Sequence, residues 1–233
     1  MERYNFIEGA TLLVNKPLDW TSFDVVNKIR YALRKSLNIK KIKVGHAGTL
    51  DPKATGLLII CTGKFTKKLA TFQGLGKVYT GTMKLGATTP SYDTETEEDE
   101  TFPTSHLDDL LLDKTREEFI GDILQYPPMF SAIKMKGQPL YKLARDGKKV
   151  AVKPRPVSIY EFDFTRVTLP EIDFSVSCSK GTYIRSLAHD FGKLAGSGGY
   201  LTKLCRTQIG TYTLAEAWEL SELIDFIQQQ EKI

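Results

Sequence analysis

The sequence is poor in the residues from which metal sites, disulfide frames and membrane spans are built. Its three cysteines, Cys61, Cys178 and Cys205, are odd in number and far apart, which fits the reduced thiols of a cytoplasmic protein better than crosslinks. The three histidines, His46, His106 and His189, show no metal-ligand spacing, so no metal is expected. The longest apolar run is Leu57 to Cys61, far short of the roughly 20 residues that cross a bilayer. The opening "MERYNFIEG" lacks the apolar core of a signal peptide, and no membrane association is expected. Phosphate-binding loops are missing as well. In "GLLIICTGKFT", Leu58 stands where a Walker loop needs glycine and Phe65 where it needs Ser or Thr. No Gly-x-Gly-x-x-Gly fingerprint opens a helix, so no cofactor is expected, and no internal repeat is evident.

What remains is an ordinary folded composition. The 233 residues are 41% hydrophobic and 26% charged, enough chain to bury a sizeable core. Net charge is only +4, but its distribution is uneven. Lys28 to Lys43 holds seven basic residues and no acid, and Lys134 to Arg155 holds eight against the single Asp146. The stretch "YDTETEEDE", Tyr92 to Glu100, opposes them. Basic runs are usually solvated faces. Interleaved with Tyr31 and Tyr141, these two also suit a polyanion, because cations neutralise phosphates while aromatic rings stack on bases.

The pattern alternates elements in a mixed order. "TLLVN" reads as a strand, followed by a helix from about Thr21 to Leu37 that a capping box of Thr21 and Asp24 opens. "GLLIICTG" and "KVYTGTMKLG" read as strands on either side of a short helix, "KFTKKLATFQ". Residues 87–103 read as a mobile loop, and a helical region then runs to about Ile120. "YKLARDG" reads as a short helix ended by Gly147. "PVSIYEFDFTRVTL" and "IDFSVSCSKG" suggest an antiparallel pair, the helix "YIRSLAHDFGKLA" follows, and "LTKLCRTQIG" closes as a strand. Hairpins mixed with strand–helix steps predict an α/β (α+β) fold with a mixed, mainly antiparallel sheet flanked by helices and loops.

One segment is specified too tightly to be filler. "GHAGTLDPKATGLLII", Gly45 to Ile60, sets Asp51 between glycines and Pro52, just before an apolar strand. An aspartate before proline commonly caps its own turn. The other reading is a carboxylate held rigidly in a cleft as nucleophile or base, kept ionised by an arginine such as Arg185 or Arg206. Local chemistry leaves both open.

The segment resembles the catalytic motif of the TruB family of tRNA pseudouridine synthases. "VNKPLDWTSFDVV" is similar to the family's N-terminal motif, with Asp19 where glycine is usual. "GKVYTGTMKLGATTPSYDTE" resembles its K-x-Y strand and following L-G-x-x-T-x-T/S-x-D segment, with Pro90 and Tyr92 as departures. "YPPMFSAIKMKGQPLYKLARDGKKV", "RPVSIYEF", "CSKGTYIRSLAHDFG" and "LTKLCRTQIG" match further segments in the same order, so the likeness covers nearly the whole chain. It implies the pseudouridine synthase fold in one catalytic domain, 1–233, with an RNA-binding insertion near 104–153 and without the PUA domain of many bacterial members. Asp51 would be the nucleophile, Tyr79 would stack on the target base and Arg185 would pair with Asp51. Tyr183 and Leu204 would wall the uracil pocket, His46 would contact the RNA and Lys16 would support the site. The implied partner is the T-stem-loop of tRNA, met by a monomer without an obligate protein partner. The alternative is a tRNA-binding or tRNA-folding module without catalysis.

Overall fold

A computed structural model describes residues 4–131, 133–135, 137–146, 150 and 152–229. Its strands are β1 Thr11–Lys16, β2 Val44–His46, β3 Ala54–Thr62, β4 Lys77–Leu85, β5 Ala87–Thr88, β6 Glu100–Thr101 and β7 Gly121–Gln125. They continue with β8 Lys134–Met135, β9 Gln138–Pro139, β10 Arg155–Thr168, β11 Glu171–Cys178, β12 Gly199–Ile209, β13 Tyr212–Thr213 and β14 Trp218–Glu219. The helices are α1 Ser22–Ser36, α2 Leu69–Gly74, α3 Asp109–Glu117, α4 Leu140–Arg145, α5 Ile184–Leu194 and α6 Leu220–Gln229. The chain divides into two compact units, one of residues 1–79 with 204–233 and the other of residues 80–203. Strands β4 and β12 run through both.

In the first unit the strands lie in the order β14, β1, β3, β12, with β2 also paired to β3 and β13 to β12. The β1–β3 and β2–β3 pairs are antiparallel, whereas β1–β14 and β3–β12 are parallel. The apolar run of β3 is continuous because both its faces are covered. Leu58 and Ile60 pack with α1 and α6 through Val26, Ile29, Leu33, Leu223 and Ile227. Leu57, Ile59 and Cys61 face the other way, against Ala47, Phe72 and Ile209. Helix α1 opens as its sequence predicts: Asp24 N–H donates to Thr21 Oγ1 at 3.0 Å, and Thr21 N–H donates to the Asp24 carboxylate at 2.9 Å.

The second unit carries β4, β11, β10 and β7 in that order. The long β10–β11 hairpin is antiparallel, as the two alternating segments predict. Its core is aromatic. Phe162 lies edge-on to Phe164, Phe174 and Phe191, with ring centroids 5.7 to 6.1 Å apart.

Three elements differ from the sequence reading. The polar stretch 87–103 is anchored: β5 pairs with β6, and Thr89, Ser91 and Asp93 are buried in a local hydrogen-bond network. Strand β7 was hidden because an edge strand with exposed Leu124 and only one covered side has no clear alternation. Helix α6, amphipathic in packing, covers α1 but has no N-cap residue in its sequence to announce it. The predicted helix end at Gly147 lies outside the described residues.

Candidate active site

Asp51 sits in the turn between β2 and β3, and the residues around it are pinned individually. Leu50 N–H donates to Ser22 Oγ at 2.8 Å, and that hydroxyl donates back to Leu50 O at 3.2 Å. Pro52 O accepts the Asp19 N–H at 2.9 Å, and Asp51 O accepts the Ala54 N–H at 3.1 Å. Gly48 has φ +99°, a region that a side chain enters only with strain, so the glycine lets the chain reverse direction there. The half-buried Asp51 is thus presented from a backbone with little freedom.

Strand register then brings two cations to the same turn. Lys16 pairs with Gly56 across β1–β3, and Arg206 pairs with the same Gly56 across β3–β12. Both are wholly inside, at 0% and 1% exposure. Buried charges require polar partners, and here these are backbone carbonyls. Lys16 Nζ donates to Trp20 O at 2.6 Å, Pro17 O at 2.8 Å and, at a longer 3.4 Å, Pro52 O. Arg206 Nε donates to Leu57 O at 2.8 Å and Nη2 to Gly48 O at 3.1 Å. Burial pulls the Lys16 ammonium down to about 8, against the attraction of Asp51 and Asp19 and with help from Arg206. The same attraction favours an ionised Asp51 carboxylate. His46, on β2, is held below its usual value by burial and by Arg206, with a backbone hydrogen bond at Gly48 opposing them. Tyr79 is buried in β4, and Leu204 lies beside Ala54 in the β3–β12 pairing.

Arg185 and Tyr183 belong to the second unit, at the start of α5. Tyr183 is the N-cap without a side-chain cap bond. Gln125 supplies a substitute clasp, accepting Tyr183 N–H at 2.7 Å and donating Nε2–H to Tyr183 O at 3.0 Å. Arg185 is buried and donates Nη1 to Ser91 O at 3.1 Å and Nη2 to Phe130 O at 2.8 Å. Its Nε lies 3.6 Å from the Asp93 carboxylate, which accepts from Ser91 Oγ at 2.7 Å and Glu95 N–H at 2.9 Å. A cavity of about 670 Å³ opens beside these anchors, lined by Tyr92, Phe102, Met129, Phe130, His189 and Lys193. Tyr92 and His189 stack at 3.8 Å, but Asp99 and Glu100 on the lining make it a poor seat for phosphate.

Of the residues singled out in the sequence, the first unit therefore holds Lys16, His46, Asp51, Tyr79 and Leu204, and the second holds Tyr183 and Arg185. Three supporting residues carried little signal. Asp93 and Ser22 appeared only as the last letters of motifs, and Gln125 in no pattern. Among the described residues, no group of three or more His, Cys, Asp or Glu is placed to hold a metal ion.

Comparison with known proteins bears on the family and the fold. Residues 34–184 match the family model described as TruB family pseudouridylate synthase (N terminal domain). A protein of Flavobacterium johnsoniae named tRNA pseudouridine synthase B is 56% identical over 217 residues, covering 93% of this chain and 95% of that relative. Its namesake in Parabacteroides distasonis is 51% identical over 225 residues, covering 97% and 96%. Among solved structures, the crystal structure of a Cbf5–Nop10–Gar1 complex contains a chain that matches with TM-score 0.72 at 27% identity. The match covers 98% of this chain but only 57% of that one. The chain belongs to the TruB family of pseudouridylate synthases.

Proposed function

We propose that the protein isomerises the T-loop uridine of tRNA conventionally numbered 55 to pseudouridine. The observation that carries this reading is the pinned turn around Asp51, with two buried cations gripping its carbonyls, in a chain whose close relatives are named tRNA pseudouridine synthase B. The reaction breaks the bond from uracil N1 to ribose C1′, turns the ring and joins C5 to C1′. The C5 proton is lost and N1 ends protonated, so no redox equivalent or phosphoryl donor enters the balance. Asp51 is the proposed nucleophile, at uracil C6 or at ribose C1′. Tyr79 stacks on the flipped base and serves as the base for the C5 proton, and Arg185 is the cation that serves Asp51. His46 contacts RNA near the flipped nucleotide, with Tyr183 and Leu204 as walls of the uracil pocket and Lys16 as support behind the turn.

Extruding the uridine costs a few kcal/mol, and stacking on one aromatic ring returns about 1–3 kcal/mol. Phosphate contacts must offset the rest. The exposed cations Lys28, Arg34, Lys35, Lys40, Lys41 and Lys43 supply them in the first unit. The protein acts in the cytoplasm, a reading supported by its free cysteines Cys61, Cys178 and Cys205, and it acts as a monomer. Incubation with an unmodified tRNA transcript, followed by pseudouridine mapping, tests the function: product at that T-loop position is expected from wild type and none from Asp51→Asn. A wild type that binds the transcript yet never forms product would favour the folding-module reading.

A further inference from the structure

We propose that Arg206 is a positioning residue of this reaction: through Gly48 and Leu57 it ties the catalytic turn to β3 and so sets where the Asp51 carboxylate points. The inference rests on the assignment of Asp51 as nucleophile. Three observations carry it. Arg206 is among the largest side chains with no solvent exposure to speak of, so its charge is not there to meet RNA. Its two acceptors lie on opposite sides of Asp51 in sequence, Gly48 three residues before and Leu57 six after, so one rigid guanidinium spans the turn. A lysine has no fixed fork and cannot hold both carbonyls in that geometry. The approach is built in from the other side too: a Cβ on Gly56 would meet the Arg206 backbone oxygen within van der Waals distance, so this crossing requires glycine.

Cost gives a further reason. A buried cation whose partners are neutral carbonyls carries a desolvation penalty that an apolar residue of similar volume would avoid. Such a residue is retained where its geometry serves something other than stability. The titratable groups that feel Arg206 are Lys16 at the end of β1 and His46 on β2, and Lys16 is itself attracted by Asp51 in the turn and by exposed Asp19 and Asp24. Burial is what chiefly loosens the protons of Lys16 and His46, and Arg206 adds to it in both.

The test compares Arg206→Lys and Arg206→Gln with wild type and with Asp51→Asn in single-turnover tRNA assays, alongside amide hydrogen exchange over residues 47–53. Misplacing a reacting group by about 1 Å costs on the order of 100-fold. Accordingly, kcat should drop on the order of 100-fold in Arg206→Gln and roughly tenfold in Arg206→Lys, with KM for tRNA unchanged within about twofold. Exchange over 47–53 should quicken in both Arg206 variants, while protection in α5 and β11 stays at wild-type levels. Asp51→Asn should abolish product and leave exchange in the turn unaltered. Should Arg206→Gln not fold, Arg206→Lys decides alone. Unchanged exchange in the turn, a raised KM with intact kcat, or activity that merely follows melting temperature would each overturn the proposal. Product from Asp51→Asn would instead overturn the nucleophile assignment, a separate outcome.

Discussion

Lys16, in the row around Gly56, drives stability and activity in opposite directions as pH rises. Lys16 is an ammonium up to about 8 in the fold but up to 10.5 in the unfolded chain. Between those values the unfolded state binds more protons, so stability rises with pH across the window. Activity should move the other way, because the ammonium that attracts Asp51 loses its proton as pH passes about 8. A pH profile of kcat should therefore show an alkaline limb near pH 8 while the melting temperature increases over the same range, and Lys16→Arg should remove the limb. At Gly56 itself φ is +104° and the Arg206 backbone leaves no room for a side chain. Gly56→Ala should cost at least about 2–3 kcal/mol in chemical denaturation, from a strained dihedral and a displaced strand. A loss under 1 kcal/mol would show that β3 and β12 can part there.

Helix α5 carries a carboxylate in an unusual state. Burial raises Asp190 to about 6, with Lys193 opposing. Its folded value lies above the unfolded one, so the stabilisation is complete below about pH 4 and is lost as pH climbs through 6. Asp190→Asn should leave stability unchanged at pH 4 and raise it by about 1–2 kcal/mol at pH 7.5, once solvent screening is discounted. Equal effects at both pH values would mean that the carboxylate is ionised throughout. At the start of α1 the capping box is local, and Thr21→Ala should cost about 1 kcal/mol without touching kcat. Elements with such local chemistry were legible in advance: the capped α1, the apolar β3 and the alternating β10–β11 hairpin. Strand β7 and the anchored stretch 87–103 were not. Their order comes from Gln125 clasping Tyr183 and from Ser91 and Asp93 meeting Arg185, partners 58 and 94 residues away.

At the scale of the whole molecule the first question is how RNA is held. The exposed cations on α1 and before β2 fall in a stretch, residues 28–43, whose sequence holds no acid. Each phosphate neutralised contributes about 0.7–0.9 to the slope of log affinity against log salt. Lys28→Glu with Lys35→Glu should therefore flatten that slope by about 1.4–1.8 in tRNA binding titrations and leave single-turnover rates at saturation intact. An unchanged slope would place the phosphate surface elsewhere. By itself the sequence determined the family, singled out the turn around Asp51 as the candidate site, and specified the helices and strands whose periodicity and caps are written in neighbouring residues. Only the tertiary structure decided that Lys16 and Arg206 meet at Gly56 and that Asp93 stands by Arg185. Caps, alternation and glycine turns act over a few residues, whereas Arg206 reaches Leu57 across 149 positions of sequence. That reach is set by strand register alone, which becomes definite once both faces of β3 are buried.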